Sequence, residues 1–112
     1  MTSKIVVLST CANEEEAPKL AAALVELRLA ACVTLVPGAT SVYRWKGEVE
    51  SSPECLLIVK SSRELFGALQ AAIARLHSYQ VPEIVALPIV EGAPSYLEWL
   101  DASLAASDAP AT

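Results

Sequence analysis

One histidine, three cysteines and a scatter of carboxylates hold most of the acid-base and metal-ligating capacity of this 112-residue chain. His77 opens the segment His77-Ser-Tyr79-Gln-Val-Pro82-Glu83, which brings an imidazole, a phenol and a carboxylate close together in sequence. As the lone imidazole, His77 must carry any Ser–His or Cys–His mechanism. Two readings of it stand side by side. A histidine at a helix C-terminus interacts favourably with the dipole, which is a purely structural role. Alternatively, Tyr79, the rigid Val81-Pro82 and Glu83 form a pocket wall with His77 as its acid-base or metal-binding group. His77 with Glu83 has the ligand types of a weak, water-rich divalent-ion site and not of a closed one. Glu54 and Lys60 sit in an otherwise apolar segment, either as strand-end charges in solvent or as charges aimed at a crevice between subunits. Cys11, Cys32 and Cys55 are far apart within apolar stretches and form no Cys-x-x-Cys pair, so they read as reduced, buried thiols. A soft-metal site or one reactive thiol is the alternative. Gly-x-Ser-x-Gly, P-loop, Gly-x-Gly-x-x-Gly and zinc spacings are all missing from the sequence.

These groups need elements to position them. Lys4-Ile-Val-Val-Leu-Ser-Thr-Cys11 is a short apolar strand. Asn13 with Glu16 has the form of a capping box, followed by Ala17, Leu20, Ala21, Leu24 and Val25 at helical spacing. Ser61 with Glu64 repeats the box before Phe66, Leu69, Ile73 and Leu76, a helical stripe that ends at His77. A strand over 84–90 follows, and Pro88 makes it an edge strand or one whose N–H side faces out. Ser95 with Glu98 is a third box, opening an amphipathic C-terminal helix.

Between the first two helices lies one very long hairpin. Its arms run over 31–45 and 48–60, with Tyr43 and Trp45 at the tip. Cys55, Leu57 and Val59 alternate with Leu56 and Ile58, apolar on both faces, as a central strand requires. Pro37-Gly38 and Pro53 interrupt a regular ladder and predict bends or bulges. An arm of about 15 residues at ~3.3 Å each reaches roughly 50 Å. A domain of this size has a radius of gyration near ~13 Å, so the hairpin overruns it. An exposed pairing edge beside aromatic side chains requires a cover, and a second copy of the chain supplies one.

The order β-α-β-β-α-β-α predicts an α+β, ferredoxin-like βαββαβ sandwich with an extended β2–β3 hairpin and an extra C-terminal helix. Residues 1–106 form a single domain and 107–112 a flexible tail. The net charge of −5 argues against nucleic acid and anionic membranes as partners. With no leader or apolar span in view, the expected location is the cytoplasm.

The motifs taken together resemble the CutA family of divalent-cation tolerance proteins over roughly residues 4–104. The likeness rests on Leu29-Ala-Ala-Cys32-Val, Pro37-Gly38, Ser41-Val-Tyr43-Arg-Trp45-Lys-Gly47 and Glu54-Cys-Leu-Leu-Ile-Val-Lys60. It continues through His77-Ser-Tyr79-Gln-Val-Pro82-Glu83-Ile and Tyr96-Leu-Glu-Trp99-Leu. The resemblance implies a very stable homotrimer of ferredoxin-like subunits, PII-like in architecture and linked to copper and other divalent ions. Two departures stand out. Ser78 replaces the family's proline. The cysteine and paired histidine proposed to bind copper in some members are matched only by His77, with Cys11 as a displaced candidate ligand.

The expectation is therefore a cytoplasmic, homotrimeric binding or signalling protein with no obligatory cofactor. Its ligand clefts would be lined by Tyr43, Trp45, Glu54, Lys60, His77, Tyr79 and Glu83. Copper or zinc would bind weakly through His77, Glu83 and Cys11. Two other classes compete: a small-molecule enzyme using His77 as general base with Tyr79 or Glu83, and a structural trimer with an indirect metal phenotype.

Overall fold

Burial alternates along the first strand, β1 (Lys4–Cys11), with Ile5, Val7, Ser9 and Cys11 inward. That period of two puts one face of the sheet against the helices. A computed structural model describes residues 2–105 and places β1 at the centre of a four-stranded antiparallel sheet. After β1 come α1 (Glu16–Glu26), β2 (Cys32–Trp45), β3 (Glu48–Ser62), a 3-10 turn (Arg63–Leu65), α2 (Phe66–Leu76), β4 (Val85–Pro88) and α3 (Pro94–Ser103). The sheet order β2-β3-β1-β4 is that of a ferredoxin-like sandwich. The expected boundary at 106 and the tail at 107–112 lie outside the described residues.

Leu20 and Leu24 of α1 and Leu69 and Ile73 of α2 close over Val7, Leu57 and Val59 to form the main core. A smaller core joins Leu100 and Leu104 of the α3 segment to Ala31 and Leu65, so α3 closes the end of the sheet opposite the hairpin tip. Among the described residues a helix meets the other sheet face only at one end, where the Tyr96 ring of α3 is centred 5.8 Å from Lys60 Nζ. Across that face Leu8 pairs with Ile58 and Val85, and Val6 pairs with Lys60 and Leu87.

The hairpin matches its expected arms closely. Lys46 and Gly47 both have positive φ, 50° and 84°, the signature of a two-residue turn of type I′ that matches strand twist. Pro37-Gly38 forms the expected bulge, between Val36 and Ala39, with Gly38 at φ 78°. Pro53 behaves otherwise. It stays in register opposite Thr40, in a stretch of β3 that β1 does not reach, where a missing N–H disrupts no second ladder. The longest extent of the molecule is 43 Å, against 31 and 24 Å across it, and the hairpin accounts for that elongation.

Of the three capping boxes, only the first is half made. Asn13 Oδ1 accepts from the N–H groups of Glu15 and Glu16, at 3.0 and 2.8 Å. Glu16 turns its carboxylate elsewhere. Ser61 Oγ donates instead to the Leu29 carbonyl at 2.7 Å, and α3 begins at Pro94 without a side-chain cap. β4 is shorter than the expected 84–90, but it lies at an edge, one of the two placements Pro88 allows.

Candidate functional site

The chain leaves α2 at His77 in an extended conformation, φ −84° and ψ 145°, which aims the following loop back toward the hairpin root. The His77 side chain is fully buried. Its Nε2–H donates to the Thr10 carbonyl at 2.6 Å, and its Nδ1 accepts the Tyr79 N–H at 3.0 Å. Those two bonds fix the Nε2–H tautomer and occupy both ring nitrogens. The Tyr79 ring lies 4.6 Å from the imidazole, tilted by 46°, and its hydroxyl donates to Glu54 Oε2 at 2.6 Å. On the outer side the Glu16 carboxylate accepts from the Ser78 N–H at 2.8 Å and from Ser78 Oγ at 3.1 Å. Ser78 thus ties the loop to α1.

This loop and the hairpin border an open-mouthed cavity of about 650 Å³. Tyr43, Trp45 and Tyr79 supply aromatic walls, Glu50, Glu54 and Glu83 supply carboxylates, and neutral residues (Thr10, Ser41, Val42, Gln80, Val81 and Pro82) complete the lining, with no basic side chain among them. Tyr43 is held by a 3.3 Å contact between its hydroxyl and Ser52 Oγ. The tight turn at Lys46-Gly47 sets the register that puts Tyr43 opposite Glu50.

Five of the seven expected cleft residues therefore meet: Tyr43, Trp45, Glu54, Tyr79 and Glu83. His77 lies behind Tyr79 as its support and not in the lining. Lys60 is remote, opposite Val6 and Cys32, six residues or roughly 20 Å along β3 from Glu54. Its Nζ sits 5.8 Å from the centre of the Tyr96 ring. Sequence reasoning missed Glu50, Thr10 and Glu16. Hairpin register was a signal for Glu50; nothing local pointed to the other two.

Burial, then the hydrogen bond to Glu54 and its charge, push the Tyr79 phenol well above its ordinary value. Burial alone would raise the Glu16 carboxyl. The two Ser78 hydrogen bonds, with help from His77 and the Ala12 backbone, outweigh it and hold Glu16 below the ordinary carboxylate value. The Cys11 thiol is pushed up to about 12, first by burial and then by the charges around it. A metal centre does not fit these groups within one chain. Both His77 ring nitrogens carry backbone hydrogen bonds, Cys11 is a buried thiol that resists deprotonation, and Glu83 lies in the cavity wall, whose lining includes neither of them. Among the described residues, no three His, Cys, Asp or Glu side chains are placed to share an ion.

The family model described as CutA1 divalent ion tolerance protein matches residues 5–103. The chain belongs to the CutA1 family. The divalent-cation tolerance protein CutA of Thermus thermophilus is 57% identical over 95 residues, covering 85% of this chain and 92% of that one. The solved structure of a Thermus thermophilus Cut A1 superposes with a TM-score of 0.89 over 91% of this chain and 99% of its own, at 53% identity. The chloroplastic CutA of Arabidopsis thaliana is 49% identical over 96 residues, 86% of this chain but 53% of the relative, so this CutA1 chain spans about half of that protein. The structure of an Archaeoglobus fulgidus CutA, described as periplasmic, aligns at 35% identity and a TM-score of 0.87, over 89% of this chain and 97% of its own. These two relatives correct the expected cytoplasmic location. Those two proteins are described as chloroplastic and periplasmic, so a strictly cytoplasmic location does not follow from the family. No helix among the described residues is long and apolar enough to cross a membrane.

Proposed function

We propose that this CutA1 domain acts as a homotrimeric binding protein in divalent-cation tolerance, taking small ligands where the cavity of one subunit meets its neighbour. The cavity carries this reading. About 650 Å³ falls within the roughly 300–1,000 Å³ range of small-molecule sites, and its wall mixes aromatic faces with a few carboxylates. The single imidazole is committed to the backbone on both sides, which favours binding over general-base catalysis. Trimerisation is supported by the open sheet face, where Val6, Leu8, Leu56 and Ile58 are only half-buried and Val85 and Leu87 are exposed. A face this apolar, flanked by an overhanging hairpin, calls for a matching surface. Copper or zinc then binds weakly through cavity carboxylates and water, with no obligatory cofactor.

Two measurements test the proposal. Light scattering during size-exclusion chromatography should give about three times the 11.8 kDa chain mass. Native mass spectrometry of the freshly isolated assembly should show a small molecule that Trp45→Ala releases. A monomer at micromolar concentration, or an assembly with no ligand retained and none bound by Trp45 fluorescence titration, would sink it.

A further inference from the structure

The β1–β3 ladder ends on a pair of thiols. Cys11, the last residue of β1, stands directly opposite Cys55 of β3. Both side chains point into the main core, at 0% and 2% exposure. Directly opposed residues on antiparallel strands have Cα atoms about 4.5–5.5 Å apart and project to the same face. A disulfide needs a Cα separation of about 4.4–6.8 Å. The backbone already meets that condition, and both cysteines are free in this structure. We infer that Cys11 and Cys55 form a latent oxidation site, closed to an intrachain disulfide by exchange with a low-molecular-weight disulfide.

The exchange balances without further reagents. The thiolate of one cysteine attacks a sulfur of the small disulfide and releases one small thiol. The second cysteine then attacks the mixed disulfide, forming the Cys11–Cys55 bond and releasing the other small thiol. The two protons leave on the released thiols, and the two electrons reduce the oxidant's S–S bond. Burial keeps both thiols protonated and hidden, so the reaction waits for the strand end to open. The position favours such opening, because β1 stops at Cys11 and the Pro37-Gly38 bulge faces Cys55 from the other side.

The bond would act on the cavity from beneath. Thr10, next to Cys11, presents the carbonyl that holds His77; Glu54, next to Cys55, holds the Tyr79 hydroxyl. A bridge between their neighbours fixes the spacing of these two anchors at the root of the hairpin.

Trypsin separates the three cysteines into the peptides 5–19, 29–44 and 47–60. The native protein is incubated overnight with excess oxidised glutathione, with and without denaturant below the unfolding transition, and mapped without reduction. The expected product is peptide 5–19 joined to 47–60, lighter by two hydrogens than the sum of the two. Cys32→Ser should keep it, Cys55→Ser should abolish it, and the oxidised wild type should unfold at a higher temperature until dithiothreitol restores the original midpoint. Recovery of Cys11 and Cys55 as unlinked peptides in both incubations would overturn the inference, as would a bridge from either one to Cys32. The wild-type map decides the matter even if Cys55→Ser fails to fold.

Discussion

The Tyr79 hydroxyl donates to Glu54 Oε2 at 2.6 Å, joining the loop after α2 to the root of the hairpin. Glu54 is 9% exposed, and no cation of the described residues pairs with it. The phenol is therefore the group that compensates a buried carboxylate. Tyr79→Phe should destabilise the fold by about 1–3 kcal/mol, the cost of leaving a buried acceptor without its donor. Urea titration of Tyr79→Phe, Glu54→Gln and the double variant should show the two losses to be non-additive.

The same bond sets an alkaline limit. Folding raises the Tyr79 value above its ordinary 10.0, so the neutral phenol is favoured in the native state. This stabilisation is complete below pH 10 and fades as pH climbs through the folded value. Wild type should lose more stability than Tyr79→Phe between about pH 9 and pH 11, on either side of that ordinary value.

At the acid end the sensitive group is Glu16. Its folded value lies below the ordinary 4.5, so its tether to Ser78 contributes fully above pH 4.5 and is lost as pH falls through the folded value. Glu16→Gln should be less stable than wild type near pH 7, by about 1 kcal/mol, and the gap should close by about pH 3. Equal gaps at both pH values would show that the carboxylate charge plays no part.

His77→Ala should act on stability and leave metal affinity alone. Removing the ring strands the Thr10 carbonyl and the Tyr79 N–H together, at a cost of about 2–4 kcal/mol. Calorimetric titration of zinc and copper should give micromolar or weaker binding in wild type and in a folded His77→Asn variant alike. A tenfold loss of affinity in His77→Asn would show that the imidazole does coordinate.

Ser9 is the one residue of the described chain whose fully buried side-chain oxygen has no partner. Ser9→Ala removes an unsatisfied hydroxyl and leaves only a small void, and should raise stability by about 1 kcal/mol in urea titration.

The elements are legible where chemistry is local. The arms expected over 31–45 and 48–60 leave Lys46-Gly47 as the turn, the return arm is apolar on both faces as a central strand must be, and the strand of Pro88 lies at an edge. Side-chain partners are not legible, because distant groups outcompete near ones. Ser61 prefers the Leu29 carbonyl, 32 positions away, to the start of the following helix, and Glu16 turns to Ser78, 62 positions away, instead of completing its box. Lys60 groups with Glu54 in the sequence because both are charges on one apolar strand; six residues of extended chain then set them roughly 20 Å apart. The facing of Cys11 and Cys55 depends on interstrand register, which composition cannot supply.

Both ends of the described chain are anchored at the pole away from the cavity. Thr2 Oγ1 donates to the Ile89 carbonyl at 2.7 Å, and the Ala105 N–H donates to the Arg28 carbonyl at 2.9 Å. Arg28 leads directly into the start of β2, across the length of the hairpin from its tip. A spectroscopic label attached on this pole would therefore stand clear of the cavity mouth and report on ligand binding without obstructing it.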